Sequence, residues 1–163
     1  GNYLFPIYIA QTLHAGAWVF GAGEIVFALG AVIAGIWLPR LIAEHSARST
    51  VPVTIAIFAA GVAILVLFPH VAPYLVAALL LGFGNAGIRV ARSAAMLHLI
   101  DNKVMGRVGS FFHAYDRVLR TLLTSTVIAI VATDGARPAF AMLLVLVLLG
   151  LVAVLRSRSA LTA

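Results

Sequence analysis

The chain is dominated by apolar runs of bilayer length, such as "VPVTIAIFAAGVAILVLF" at Val51–Phe68 and "AFAMLLVLVLLGLVAVL" at Ala139–Leu155. A helix crossing a hydrocarbon core of about 30 Å needs roughly 20 mostly apolar residues. No water reaches that depth, so the backbone N–H and C=O groups must bond within the segment, and such runs fold as helices. Composition closes the alternative of a water-soluble core. Of the 163 residues 63% are hydrophobic and 10% charged, and the mean hydropathy is +1.12, more apolar surface than a soluble domain of this length covers.

On this measure the sequence reads as five full spans and one partial one, at residues 3–10 (partial), 18–38, 51–68, 74–97, 110–132 and 139–155. Trp18 and Trp37 bracket the second segment, where amphipathic rings favour the two interfaces. Pro39 with "RLIAEHSARST" reads as a loop, Pro52 suits a first helical turn, and "PHVAP" and "TDGARP" separate later spans. Residue 1 is glycine, with no basic n-region or cleavage site ahead of the first apolar stretch, so the chain reads as beginning inside a longer one.

The net charge of +6 first has to be tested against topology. If the loop at 39–50 is cytoplasmic, alternation places residues 98–109 and the tail from Arg156 on the same side. That side carries Arg40, Arg48, Lys103, Arg107, Arg156 and Arg158, against Arg137 alone outside. The basic excess is mostly a topology signal and calls for no nucleic acid. The absence of cysteine excludes disulfides, thiolate metal sites and a cysteine nucleophile.

Glu24, Arg89, Arg92, Asp116, Arg117 and Arg120 fall within or at the edges of spans, where an ionised group at mid-depth costs at least about 2.5 kcal/mol unless it meets water or a partner. Asn85, Arg89, Arg92 and Met96 share one face of their helix, while Gly87, Ala91 and Ala95 recur every four residues on the opposite one, small enough for close packing. On the next helix His113, Asp116, Arg117, Arg120, Thr121 and Thr124 form a polar stripe, with Tyr115, Val118, Leu119 and Leu122 elsewhere. These stripes fit a water-lined vestibule; the competing reading is that the arginines snorkel to headgroups and that Asp116 and Arg120, at i, i+4, neutralise each other. Glu24 stands about two turns below the outer interface with no cation nearby on its own helix. It is either a pore-facing functional carboxylate or a structural one bonded to a neighbouring helix.

"GFGNAG", Gly82–Gly87, has the dinucleotide-binding spacing G-x-G-x-x-G, but it lies in mid-helix in an apolar run, not between a strand and a helix. Its glycines read as packing and bending points. No phosphate loop, nucleophile constellation, paired carboxylate or metal spacing is visible, so the chain reads as neither an enzyme nor a cofactor or metal protein.

In this organisation the chain resembles the carboxy-terminal half of a major facilitator superfamily transporter, over nearly all of its length and with the first helix truncated. The third and sixth segments carry no charge, as the outer support helices of each half do in that family. Gly35 and Arg40 are similar to part of the loop motif after the second helix, with Pro39 in place of its acid. In "VARSAAMLHLIDNKVMGRVGS", Arg92, Gly106, Arg107, Val108 and Ser110 match the loop between the fourth and fifth helices in the drug and siderophore exporter branch; Leu97 and Asp101 replace its glutamine and proline. The resemblance implies an all-α polytopic bundle, one six-helix half of a twelve-helix transporter, in a bacterial inner membrane. It implies alternating access around a small-molecule site, with lipid and the missing amino-terminal half as partners. Proton-driven efflux leads the alternatives of uptake, a self-dimerising half-transporter, or a non-transporting membrane scaffold or receptor.

Overall fold

The computed structural model describes residues 4–45, 47–99, 105–134 and 136–159, and every element among them is helical. Helix α1, Leu4–Tyr8, widens into a π-type turn, Ile9–Leu13. His14 ends that turn in the left-handed region at φ 49°, its N–H bonded to the carbonyl of Ile9. The remaining helices are α2 (Ala17–His45), α3 (Ala47–Leu67), α4 (Val71–Leu99), α5 (Met105–Asp134) and α6 (Ala136–Ser159).

Four of these, α2, α3, α4 and α6, contain stretches long and apolar enough to cross a bilayer. Large apolar side chains such as Trp18, Ile25, Leu29, Val32, Ile36 and Trp37 stand exposed along α2, a surface stable against lipid or another protein but not against water. This is the architecture of a membrane protein.

The expected fifth segment, 110–132, lies within α5, which is not among these four. Asp116, Arg117 and Arg120 interrupt its apolar run, and the charge-free stretch Thr121–Thr133 is only about 20 Å long at the helical rise. The loop expected at 39–50 is also largely helix: α2 continues through Pro39 to His45, and α3 begins at Ala47. A proline ring presses on the carbonyl four residues earlier, here that of Gly35, a residue with open space around it. Pro52 consequently falls in the second turn of α3, and "PHVAP" shrinks to a connection at Phe68–His70, with Pro73 inside the first turn of α4. Asp101 and Lys103 lie outside the described residues.

Helix α4 is the centre of the bundle. It runs parallel to α2 and antiparallel to α3, a register read from contacts at glycines: Gly23 meets Tyr74 and Gly82 meets Phe27, while Gly61 meets Leu81 and Gly84 meets Phe58. A methyl group at Gly30 would strike the carbonyl oxygen of Leu79, and one at Gly82 that of Phe27. At Gly84 it would come within 2.7–2.9 Å of Phe58, and at Gly87 within 2.6 Å of Thr54 and 2.9 Å of Leu38. The "GFGNAG" stretch thus lets two neighbouring backbones approach α4 from opposite sides, the device by which membrane helices associate without a hydrophobic driving force.

On the far side α6 packs against α3, and α1 closes one end of the bundle. There Phe5 meets Tyr74 and Phe140 at centroid separations of 6.1 and 6.0 Å, and Tyr8 meets Phe140 edge-on at 5.2 Å. The buried Tyr8 hydroxyl donates to the carbonyl of Leu65 at 2.6 Å, tying α1 to α3. Such a bond in an apolar interior satisfies a donor that water cannot reach.

Candidate functional site

Helix α5 is attached differently from the rest. Among the described residues it packs appreciably only on α6, and its inward contacts come from Val127, Ile130 and Val131 in its second half. Between α5, from Asp116 to Val131, and the helices α2, α3 and α4 lies a cleft of about 820 Å³. Cavities of roughly 300–1,000 Å³ hold drug-sized molecules.

The cleft has two unlike ends. Leu4, Phe5, Phe140 and Leu143 close one, in the aromatic cluster just described, and Phe27, Phe58, Val62 and Leu81 line its middle. Towards the other end the lining becomes polar, with Asn85 from α4 and Asp116, Arg120 and Thr124 from α5. Two stripes that are remote in sequence therefore meet across one space, since α4 presents Leu81 and Asn85 to it and α5 presents positions spaced by three and four.

Asp116 and Arg120 face each other at 3.5 Å, with side chains 46% and 76% exposed. The order acid then base at i, i+4 favours the pair on an isolated helix, but at that exposure its contribution to stability is at most about 1 kcal/mol. Arg89, Arg92, His113 and Arg117 are exposed. Arg89 and Arg92 continue the face of α4 on which Asn85 lies, beyond the polar end of the cleft. His113, Arg117 and Thr121 are not among the lining residues, and the Thr121 hydroxyl donates to the Arg117 carbonyl of its own helix at 2.9 Å.

The lining face of α5 is thus rotated from the expected polar stripe. Leu119 and Leu123, the former expected to face elsewhere, lie on it with Asp116, Arg120, Thr124 and Val127. Counting polar residues located the stripe but not its facing, because the helix is amphipathic along only half its length and packs through the other half. The apolar closed end was invisible for a similar reason: Phe5, Phe58 and Phe140 come from three helices and share no motif.

Glu24 is exposed on α2, one turn before the lining residue Phe27 and next to Gly23, which receives the Tyr74 hydroxyl. It belongs to the level of the closed end and not to that of the arginines. Gly35 and Arg40 are exposed near the far end of α2; Gly106 and Arg107 are exposed in the first turn of α5, where Ser110 donates to the Gly106 carbonyl at 2.9 Å. Among the described residues no three His, Asp or Glu side chains converge as metal ligands would. No family model, curated protein or solved structure matches the chain.

Proposed function

We propose that these helices form one six-helix half of a secondary transporter in a bacterial inner membrane. The cleft between α5 and the α2–α4 layer is its share of the pathway for a small organic molecule. The observation that carries this reading is a drug-sized cleft whose polar lining comes from two helices and whose fourth wall, α5, is anchored at one end only. A scaffold has no need of such a space inside an apolar bundle, whereas alternating access requires a central site flanked by elements free to rock.

In this reading the loops around Ala43–Ser49 and Asn102–Gly106 are cytoplasmic, as is the tail, in accord with the distribution of Lys and Arg. Coupling is to protons, and Glu24 is the candidate carrier because it is the one carboxylate within the apolar length of α2. The direction is efflux.

Reconstitution of the full-length protein in liposomes tests this. Substrate flux that depends on an imposed pH gradient, and that loses this dependence in Glu24→Gln while expression and substrate binding persist, is the expected result. Absence of flux from the full-length protein under any gradient would remove the transport reading; flux from these 163 residues alone would replace the twelve-helix assembly by a dimer of halves.

A further inference from the structure

The two ends of the cleft differ in charge as well as polarity. Within the bilayer-length stretch Val71–Ala94 of α4 the charged residues are Arg89 and Arg92, one and two turns past Asn85 on the same face. Neither Arg89 nor Arg92 has an ion-pair partner among the described residues. Asp116 is already engaged by Arg120, so among the described residues the charge left at the polar end is the positive charge of Arg89 and Arg92 just beyond it.

The depth of that charge follows from the packing of α2 on α4. Gly87 lies against Leu38, so Arg89 stands at the level of Trp37 and Arg40. Trp18 and Trp37, both exposed, are about 29 Å apart along α2, the thickness of a hydrocarbon core, which puts Trp37 and hence Arg89 at one membrane interface. From there the cleft descends past Asn85 into an apolar space between Phe27, Phe58 and Leu81.

From this geometry, and resting on the reading of the cleft as a substrate site, we propose that its occupant is an amphipathic anion. The carboxylate, sulfonate or phosphate head sits at Asn85 and Arg89, and an aromatic or aliphatic body lies in the cleft below. A planar guanidinium offers paired N–H donors to such a head, and an unpaired arginine at an interface gains most from an anion that brings its own apolar anchor. A neutral molecule of the same shape would fill the apolar part and leave Arg89 as it is; a cation would be opposed by it.

The probes are anilinonaphthalene sulfonate and phenylnaphthylamine, which share an aromatic body and differ by the anionic group. Binding is measured on the full-length protein in phosphatidylcholine nanodiscs, with empty nanodiscs subtracted. The sulfonate should bind about tenfold more tightly or better. Arg89→Gln should abolish that preference without changing affinity for the neutral probe, and Phe58→Ala should weaken both. Arg156→Gln, which removes the same charge from α6 outside the cleft, should leave the preference intact. Equal affinity of the two probes for the wild type, or equal loss of preference in Arg156→Gln, would overturn the proposal. Repetition with phosphatidylglycerol in the nanodiscs separates two sources of the anion. Saturable displacement of the sulfonate identifies an anionic lipid, and unchanged binding a free organic anion. Because binding is read at equilibrium, a missing preference in a protein that transports refutes the anion alone, and a preserved preference in a protein that does not transport refutes transport alone.

Discussion

Helices α4 and α5 are nearly equal in length and both combine charge with apolar residues, yet one is the centre of the bundle and the other stands off from it. The difference lies in their small residues. Gly82, Gly84 and Gly87 let α2 and α3 approach the α4 backbone on two sides, so its polar residues are left on the one face not covered. On α5, Gly106 and Gly109 have nothing within reach of an added methyl group, and Phe111, Tyr115, Val118 and Leu122 are exposed. In a membrane, where apolar character alone does not drive helices together, shape complementarity decides which helices pack. A cleft forms where that complementarity stops.

The sharpest way to break this contrast is to add bulk on both helices. Gly82→Leu should be the most damaging substitution, because its side chain would have to displace the backbone at Phe27; we expect a loss of about 3 kcal/mol or failure to accumulate folded protein. Gly109→Leu, in open space on α5, should melt within about 0.5 kcal/mol of wild type. Thermal unfolding in detergent compares the two, and similar melting curves would remove the packing argument.

A second test concerns the facing of α5. Cysteines introduced at Asp116, Leu119, Leu123 and Thr124 should react with a small water-soluble thiol reagent faster, by about tenfold, than those at Val118 and Leu122, which face lipid or another part of the protein. The chain has no native cysteine to confuse the labelling. Reactive Arg117→Cys and Thr121→Cys with a protected Leu119→Cys would restore the stripe expected from sequence and reject the observed rotation.

At the closed end, Tyr8→Phe removes the hydroxyl that bonds the Leu65 carbonyl and should cost about 1–2 kcal/mol, since the carbonyl loses its partner where water is absent. The smallest effect belongs to the exposed pair on α5. Asp116→Asn should change stability by less than about 1 kcal/mol, and less still at high salt. A larger loss would mean that the pair is shielded from solvent in the assembled protein.

Helical character, the small-residue face of α4 and the segregation of charge onto a few positions were all legible in the sequence, because each depends on periodicity along a single helix. Gly87 and Ala91 were placed on a packing face from their spacing alone, and both are buried. Pro39 lies inside α2 instead of ending it, and the sequence does not show what surrounds the carbonyl that its ring crowds. Helix α5 begins five residues before the expected segment at 110, because polar residues such as Arg107 extend a helix as readily as apolar ones.

By itself, then, the sequence determined that this chain is a set of apolar helices with basic residues gathered towards one end of several of them, because a bilayer admits little else at such hydropathy. Only the tertiary structure decided which helices touch, how far α5 stands from its neighbours, and that Asn85, Asp116, Arg120 and Thr124 share a space with Phe27, Phe58 and Phe140. The physical reason is that a helix specifies its own faces through local spacing, whereas a cleft is the volume left between helices, and that volume depends on every backbone approach around it.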